Sequence, residues 1–279
     1  MRDLAEKVAV VTGAADGIGR ALADELAAAS ARLVLADIEG PKVRAVEREL
    51  ADRGAEVLAM ATDVSNPADM LALRDAAVQR FGTVHLLCNN AGVMGPAGDP
   101  LWDLPIGEWH RVMAVNLWGV LHGIQAFVPV MLAGGHEGHV LDTASMQGVT
   151  SGAAIPEYTV SKHAVVALSE ALRAQLVARG APIGVTILCP SAVTTDLASR
   201  ERRRLSAGGA DDAWAVAPGG GGDRRDWGAS LTPSEVATAA LAAVRDDRHY
   251  VFTHTGSRAR VEARLRPILD ALDLIEPQD

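Results

Sequence analysis

The chain has 279 residues, 49% of them hydrophobic, enough for one sizeable core or two small ones. Its formal charge of −9 argues against a nucleic-acid or anionic-membrane partner, either of which calls for a basic face. The only two cysteines, Cys88 and Cys189, sit in apolar strand-like runs, and the opening MRDLAEKVAVVTG has no signal-peptide-like apolar stretch, so a cytoplasmic protein in a reducing compartment is expected.

Lys7 is followed by the unbroken apolar run Val8 to Thr12, the pattern of a strand covered on both faces. Gly13, Gly17 and Gly19 then frame a turn that leads into the helical spacing of Ile18, Ala21, Leu22, Leu26 and Ala29. Such glycines let the backbone approach a pyrophosphate, and the helix amino end supplies N–H groups and a partial positive charge. The second strand, Arg32 to Ala36, ends in Asp37. An acid there, about 20 residues past the turn, accepts hydrogen bonds from both adenosine ribose hydroxyls and repels a 2′-phosphate. Asp16, rather than a base, precedes Gly17, so NAD is expected in preference to NADP.

Strand and helix alternate from there. Val57 to Ala61 is predicted as a strand ending in Thr62, Asp63 and Val64, Pro67 to Phe81 as a helix, and Val84 to Cys88 as a strand ending in Asn89, Asn90, Ala91 and Gly92. This rhythm implies a parallel sheet with helices on both faces and a ligand crevice at the strand carboxyl ends, lined by Asp63 and by Asn90 to Gly92. One long helix is predicted from about Ile106 to Leu132, carrying Asn116, an amide that needs partners in an apolar setting. The strand His139 to Thr143 leads to Ser145, whose hydroxyl is placed opposite Tyr158.

The helix of Tyr158 and Lys162 runs to about Arg179, and the strand Gly184 to Cys189 closes at Pro190. Residues 196–230, with charged and glycine runs, are expected to form a mobile loop acting as a substrate lid that contributes Leu205, Trp214 and Trp227. The run Arg200 to Arg204 within it reads as a solvated loop or helix edge. A helix from Pro233 to Arg245, a strand from His249 to Thr253 and an amphipathic helix from Ser257 to Leu272 follow. With no repeat and no linker, residues 1–279 read as a single domain, and no His, Cys and carboxylate cluster has metal-ligand spacing.

Tyr158 and Lys162 stand four positions apart, on one helix face. The pairing is notable because the chain has only two tyrosines and carries its positive charge almost entirely on arginine. A free tyrosine titrates near pH 10, so its use as a base near neutrality requires favouring the phenolate by roughly 3 units, and an adjacent ammonium acts in that direction.

The motifs Thr12 to Gly19 (TGAADGIG), Asp63 with Val64, Asn89 to Gly92 (NNAG), Asn116, Ser145, and Tyr158 with Lys162 together resemble the short-chain dehydrogenase/reductase family, over nearly the whole chain. The resemblance implies an α/β, Rossmann-like doubly wound domain with a seven-stranded parallel sheet, assembled as a homotetramer or homodimer through helices 106–132 and 156–179. It assigns Tyr158 as the acid or base at the substrate oxygen, with Ser145 hydrogen-bonded to that oxygen. Lys162 would hold the nicotinamide ribose and lower the Tyr158 pKa, and Asn116 would position a water. Pro190, Val193 and Thr195 would contact the nicotinamide end. Two positions depart from the family pattern: Ser191 where glycine commonly follows Pro190, and Asp142 where asparagine is common.

The implied activity is NAD-dependent interconversion of a secondary alcohol and a ketone. The expected substrate wall is Met94, Met146, Gln147, Ala153, Ala154, Ile155, Ser191 and Ala192, apolar or small and without an arginine, which suits a neutral cyclic or aryl alcohol. The alternatives are an NADP-preferring carbonyl reductase, a catalytically silent NAD-binding regulatory or scaffold protein, and another reaction on the same fold.

Overall fold

The computed structural model describes residues 1–152, 154–207 and 229–275. Its centre is a seven-stranded, all-parallel sheet in the order β3-β2-β1-β4-β5-β6-β7. The strands are β1 (Val8–Thr12), β2 (Arg32–Asp37), β3 (Val57–Ala61), β4 (Leu86–Asn89), β5 (Gly138–Thr143), β6 (Ile183–Cys189) and β7 (Tyr250–Phe252). The order reverses between β1 and β4, which opens a crevice at their carboxyl ends.

Side chains alternate along each strand, so one sheet feeds two cores. Ala9, Val11, Leu33 and Leu35 pack with Leu22 and Leu26 of α1 (Gly17–Ala28) and with Val236, Leu241 and Val244 of α8 (Pro233–Arg245). Val8, Val10 and Val34 face the opposite layer of α3 (Pro67–Phe81), α5 (Gly119–Gly134) and α6 (Pro156–Ala178), where Phe127 is fully buried. A smaller cluster of Val120, Ala144, Val165, Val166 and Ile187 lies where α6 crosses the ends of β5 and β6. Helix α2 (Gly40–Asp52) covers β2 and β3, and α9 (Ser257–Leu272) follows β7.

Two expectations change. The helix predicted from about Ile106 to Leu132 is α4 (Ile106–Met113), a π-helical turn at Ala114–Trp118, and then α5. Asn116 sits inside that turn, fully buried. A π turn places one extra residue in the helical ladder, so the side chains before and after it point in directions that a continuous α-helix could not combine. Ile106–Gly134 is long and apolar enough to cross a membrane, with a mean hydropathy of 1.5. Here, Ala126, Phe127, Val128 and Met131 of α5 pack into the sheet core instead.

The second change concerns residues 196–230, expected to be a loop with Arg200 to Arg204 as a solvated loop or helix edge: Leu197–Ala207 form helix α7. Trp214 and Trp227 lie outside the described residues.

Candidate active site

A cavity of about 460 Å³ opens at the strand switch point. It runs from Asp37, at the end of β2, to Ser145 and Tyr158, beyond β5.

The first half of its wall is the glycine turn. Gly13 has φ of 67°, and a Cβ there would come within 2.9 Å of the Ala91 Cα, so the turn accepts only glycine without displacing the next strand's end. Asp16 caps α1, accepting from Gly17 N at 2.6 Å, and Gly17 and Ile18 bring the helix amino end to the cavity. The Asp37 carboxylate is buried and accepts from Ala15 N and Glu39 N, both at 3.0 Å. An ionised carboxylate has about four lone-pair sites, so two remain for ribose hydroxyls. Thr12 Oγ1 accepts from Asn90 N at 3.0 Å and Asn90 Nδ2 donates to Thr12 O at 3.0 Å, which locks β1 to β4. Asp63, Val64, Ala91, Gly92, Pro190, Val193 and Thr195 lie on the same wall. A nicotinamide dinucleotide therefore fits these residues: a tight glycine turn on a helix amino end for the pyrophosphate, and a buried acceptor for the ribose.

At the far end stand the proton-handling groups. Ser145 and Tyr158 both line the cavity, and the Ser145 hydroxyl is near enough to the phenol to favour its ionised form. Ser145 Oγ also accepts from Gln147 N at 3.1 Å. Lys162 Nζ lies 5.6 Å from the Tyr158 ring centroid and donates to Thr143 O at 2.7 Å. Burial lowers the Lys162 pKa to about 8, against the pull of Cys189 and Asp142. Burial raises Tyr158 to about 12, against the opposing influence of the Ser145 hydroxyl. Desolvation of the phenolate is the largest influence on Tyr158.

Asn116 lies behind the wall, with every bond made at good distance. Its Nδ2 donates to Val93 O and to Ser161 Oγ, both at 3.0 Å, and its Oδ1 accepts from Val93 N at 2.8 Å. It thereby fixes the loop after Gly92 to the helix that carries Tyr158 and Lys162. Gly19 is also set back from the cavity, packed on the Gly13 carbonyl.

The two departures from the family pattern have structural accounts. Ser191 keeps an ordinary negative φ, and His254 holds its turn: Ser191 N donates to His254 Nδ1 at 3.3 Å, and His254 Nε2 donates to Ala192 O at 2.8 Å. A carbonyl only accepts, so the Nε2 proton is required. Asp142 is fully buried and accepts from Asn89 Nδ2 at 2.9 Å and Ser169 Oγ at 2.7 Å. Burial raises its pKa to about 6.

Met94, Met146, Gln147, Ile155, Ser191 and Ala192 line the cavity, whereas Ala154 and Leu205 lie off its wall and Ala153 lies outside the described residues. The expectation of a wall without arginine fails, since Arg200 and Arg260 both line the cavity. Arg200 Nη2 pairs with Asp16 at 2.7 Å and with Glu39 at 3.3 Å, which pins α7 across the glycine turn. Further along α7, the nearly buried Glu201 pairs with Arg111 of α4 at 2.9 Å, and Arg204 pairs with Glu108 at 2.7 Å. Arg200, the first residue of the arginine run, thus reaches the cavity wall, a placement that its composition did not signal.

Comparison with known proteins agrees with this geometry. The short chain dehydrogenase family profile matches residues 7–206. The chain is 40% identical to a 1-deoxy-11-beta-hydroxypentalenate dehydrogenase of Streptomyces avermitilis, over 92% of this chain and 88% of that one. It is 33% identical to 3beta-hydroxysteroid dehydrogenase 2 of Eggerthella lenta, over 89% and 91%. Among solved structures, a short chain dehydrogenase/reductase from Burkholderia phymatum in complex with NAD superposes with a TM-score of 0.85 at 37% identity, covering 100% of both chains. The chain belongs to the short-chain dehydrogenase/reductase family and is an oxidoreductase acting on CH–OH groups.

Proposed function

We propose that the protein is an NAD-dependent dehydrogenase interconverting a cyclic secondary alcohol and its ketone, with an apolar ring system held against Met94, Met146 and Ile155. The observation that carries this reading is the meeting of the Ser145 and Tyr158 hydroxyls at one end of a cavity whose other end is the buried carboxylate of Asp37. The polycyclic alcohols named in the pentalenate and steroid dehydrogenases support a ring-shaped substrate.

A bound nicotinamide supplies the hydride acceptor or donor. Tyr158 gives a proton to the substrate oxygen in reduction and takes one in oxidation, while Ser145 hydrogen-bonds that oxygen. With a pKa near 12, Tyr158 is ready to donate; accepting a proton requires a further cation nearby, which the charge of the oxidised cofactor provides. Lys162, protonated at neutral pH, is fixed by Thr143 O on the ribose side, and Asn116 holds the Val93 loop and α6 in register. We further infer a single domain over 1–279; of the lid expected at 196–230, the described part, α7, lies over the cavity. Pairing of copies through α4, α5 and α6 fits the exposed Trp118 and Val160, and a reducing cytoplasmic setting fits the buried, unbridged Cys88 and Cys189.

Reduced-cofactor absorbance at mildly alkaline pH, with NAD and NADP in parallel against aliphatic, cyclic, aryl and steroid secondary alcohols, tests this reading. The expected result is turnover of a cyclic alcohol with NAD. The second reading, an NADP-preferring carbonyl reductase, is favoured by Arg200 on the adenosine-side wall. Against it, that guanidinium is ion-paired to Asp16 and Glu39. Silence across the panel would favour a non-catalytic NAD-binding protein.

A further inference from the structure

A buried charge stands behind the proton-handling groups. Asp142 lies two residues after Val140 on β5 and so faces the layer of α5 and α6, with Asn89 of β4 and Ile187 of β6 as its register partners. Asp142, Asn89, Ser169 and Lys162 are all buried, at 3% exposure or less. Asp142 accepts from Asn89 Nδ2 at 2.9 Å and from Ser169 Oγ at 2.7 Å, and the carbonyl of the next residue, Thr143, accepts from Lys162 Nζ at 2.7 Å. Lys162 and Ser169 are two helical turns apart, so α6 presents both on one face to the end of β5.

The bonding around Asp142 is that of a carboxylate. Asn89 turns its amide nitrogen toward it, while Asn89 Oδ1 is buried with no hydrogen-bond partner among the described residues. Gly123 of α5 closes over that oxygen, since a Cβ there would fall 2.1 Å from it. A charged acceptor, which takes only donors, holds the amide this way round. Other ionisable groups packed here are neutral near pH 7: burial raises the thiol of Cys88 on β4 and that of Cys189 on β6, the latter to about 12. His139, three residues back on β5 and on its other face, is bonded to Thr186 Oγ1 at 2.7 Å. Among the described residues Lys162 is thus the cation that acts on Asp142, and Asp142 is the group carrying negative charge that acts on Lys162. A dry ammonium is disfavoured, and a nearby carboxylate works against that penalty.

We propose that Asp142 is the counter-ion of Lys162, a positioning residue that keeps the ammonium charged at the reacting end of the site although both groups are out of water. For the task of Lys162 the proposal rests on the alcohol–ketone reading above. It gives a reason for aspartate where the family pattern has asparagine: the two side chains share a shape, and this chain adds a charge. Asp142 carries that charge above about pH 6 and Lys162 keeps its proton up to about pH 8, so the pair is complete between those values.

Asp142→Asn removes the charge and keeps the bonds. The amide oxygen still accepts from Asn89 Nδ2, and the amide nitrogen donates to Ser169 Oγ, whose one proton turns to Val165 O, 2.8 Å away. Lys7, Lys42 and Lys162 are the only lysines, so lysine-selective carbon-13 NMR of the full-length protein follows Lys162 directly. The midpoint of its titration should fall by about one pH unit in Asp142→Asn, and a midpoint within about 0.3 of wild type would overturn the proposal. In wild type, with no substitution, the Lys162 resonance should show a second, smaller inflection near pH 6 as Asp142 takes up a proton; its absence would also overturn it. In kcat/KM for reduction of a cyclic ketone, the two proteins should agree within about twofold near pH 5.5, where wild type has lost most of the charge. Near pH 8.5 the variant should be slower by about fivefold or more. Equal loss at both pH values would make the residue merely structural and overturn the proposal. If the Lys162 midpoint shifts while no ketone is reduced and no alcohol oxidised, the counter-ion stands and the dehydrogenase reading has failed.

Discussion

The floor and the roof of the cavity are built by different means. On the floor, Asp37, Asn90, Lys162 and Asn116 are each held by backbone N–H or C=O groups at strand ends or in the loop that follows β4. On the roof, α7 is held by ion pairs between residues far apart in sequence, Arg200 with Asp16 and Arg204 with Glu108. Backbone partners leave a side chain one geometry, whereas the partly exposed pairs among these, such as Arg200 with Asp16, are screened and contribute little each. The floor is thus held more tightly than the roof.

Substitutions should reveal that contrast, and the largest effect belongs to the floor. Tyr158→Phe is expected to reduce kcat by roughly 10²-fold or more while the dissociation constant for NAD, read by fluorescence titration, stays within a factor of about three. More than a tenth of wild-type activity in this variant would remove Tyr158 from the proton path. Asn116→Leu leaves Val93 N, Val93 O and Ser161 Oγ without their partner, and should lower unfolding free energy by about 2–4 kcal/mol in urea denaturation.

Glu157 marks the join between floor and roof. It precedes Tyr158, is fully buried, and neither carboxylate oxygen has a hydrogen-bond partner. Its Oε1 would lie 1.6 Å from a Cβ on Gly95, so the loop passes over it only because residue 95 is glycine. Burial raises its pKa from 4.5 to about 7, with Glu108 and Glu201 pushing the same way and Arg111 opposing. The folded pKa is the higher one, so the group's contribution is complete below about 4.5 and is lost as pH rises through about 7. The full shift corresponds to at most about 3 kcal/mol. Denaturation at pH 6 and pH 8 should show wild type losing stability with rising pH and Glu157→Gln losing less; equal losses would show that another group titrates.

Smaller effects are expected at the adenosine end. Asp37→Ser should raise KM for NAD by roughly tenfold and narrow the preference over NADP, as steady-state kinetics with both cofactors would show. Arg200→Ala frees one end of the roof, and should speed product release or raise KM by no more than about threefold without a measurable change in melting temperature.

The same contrast explains what could be read from the sequence. Strand-end residues such as Asp37, Asp63, Asn90 and Ser145 are placed by where a strand stops, and strand ends are marked locally by apolar runs and glycines. The sheet, its helices and most of the cavity wall follow from that rule. Arg200 and Arg260 carry no such mark, because only the packing of α7 and α9 over the sheet brings them to the cavity. The π turn at Asn116 is equally silent: its apolar spacing matches an ordinary helix, and the extra residue shows only in the backbone bonding. The rise in the Tyr158 pKa is silent too, because adjacency to Lys162 is visible in sequence and desolvation is not.

That turn sets regularity against function. Removing a single residue between Ala114 and Trp118 would give α4 and α5 an uninterrupted ladder of backbone bonds, and by local bonding alone a better helix. It would also rotate everything upstream by about 100° relative to everything downstream. Asn116 would leave Val93 and Ser161, or Phe127 and Met131 would leave the core. The segment therefore has no room for drift in length: insertions and deletions that a surface loop would absorb should be lethal to activity in these five positions, even where every amino acid in them is conservatively replaceable.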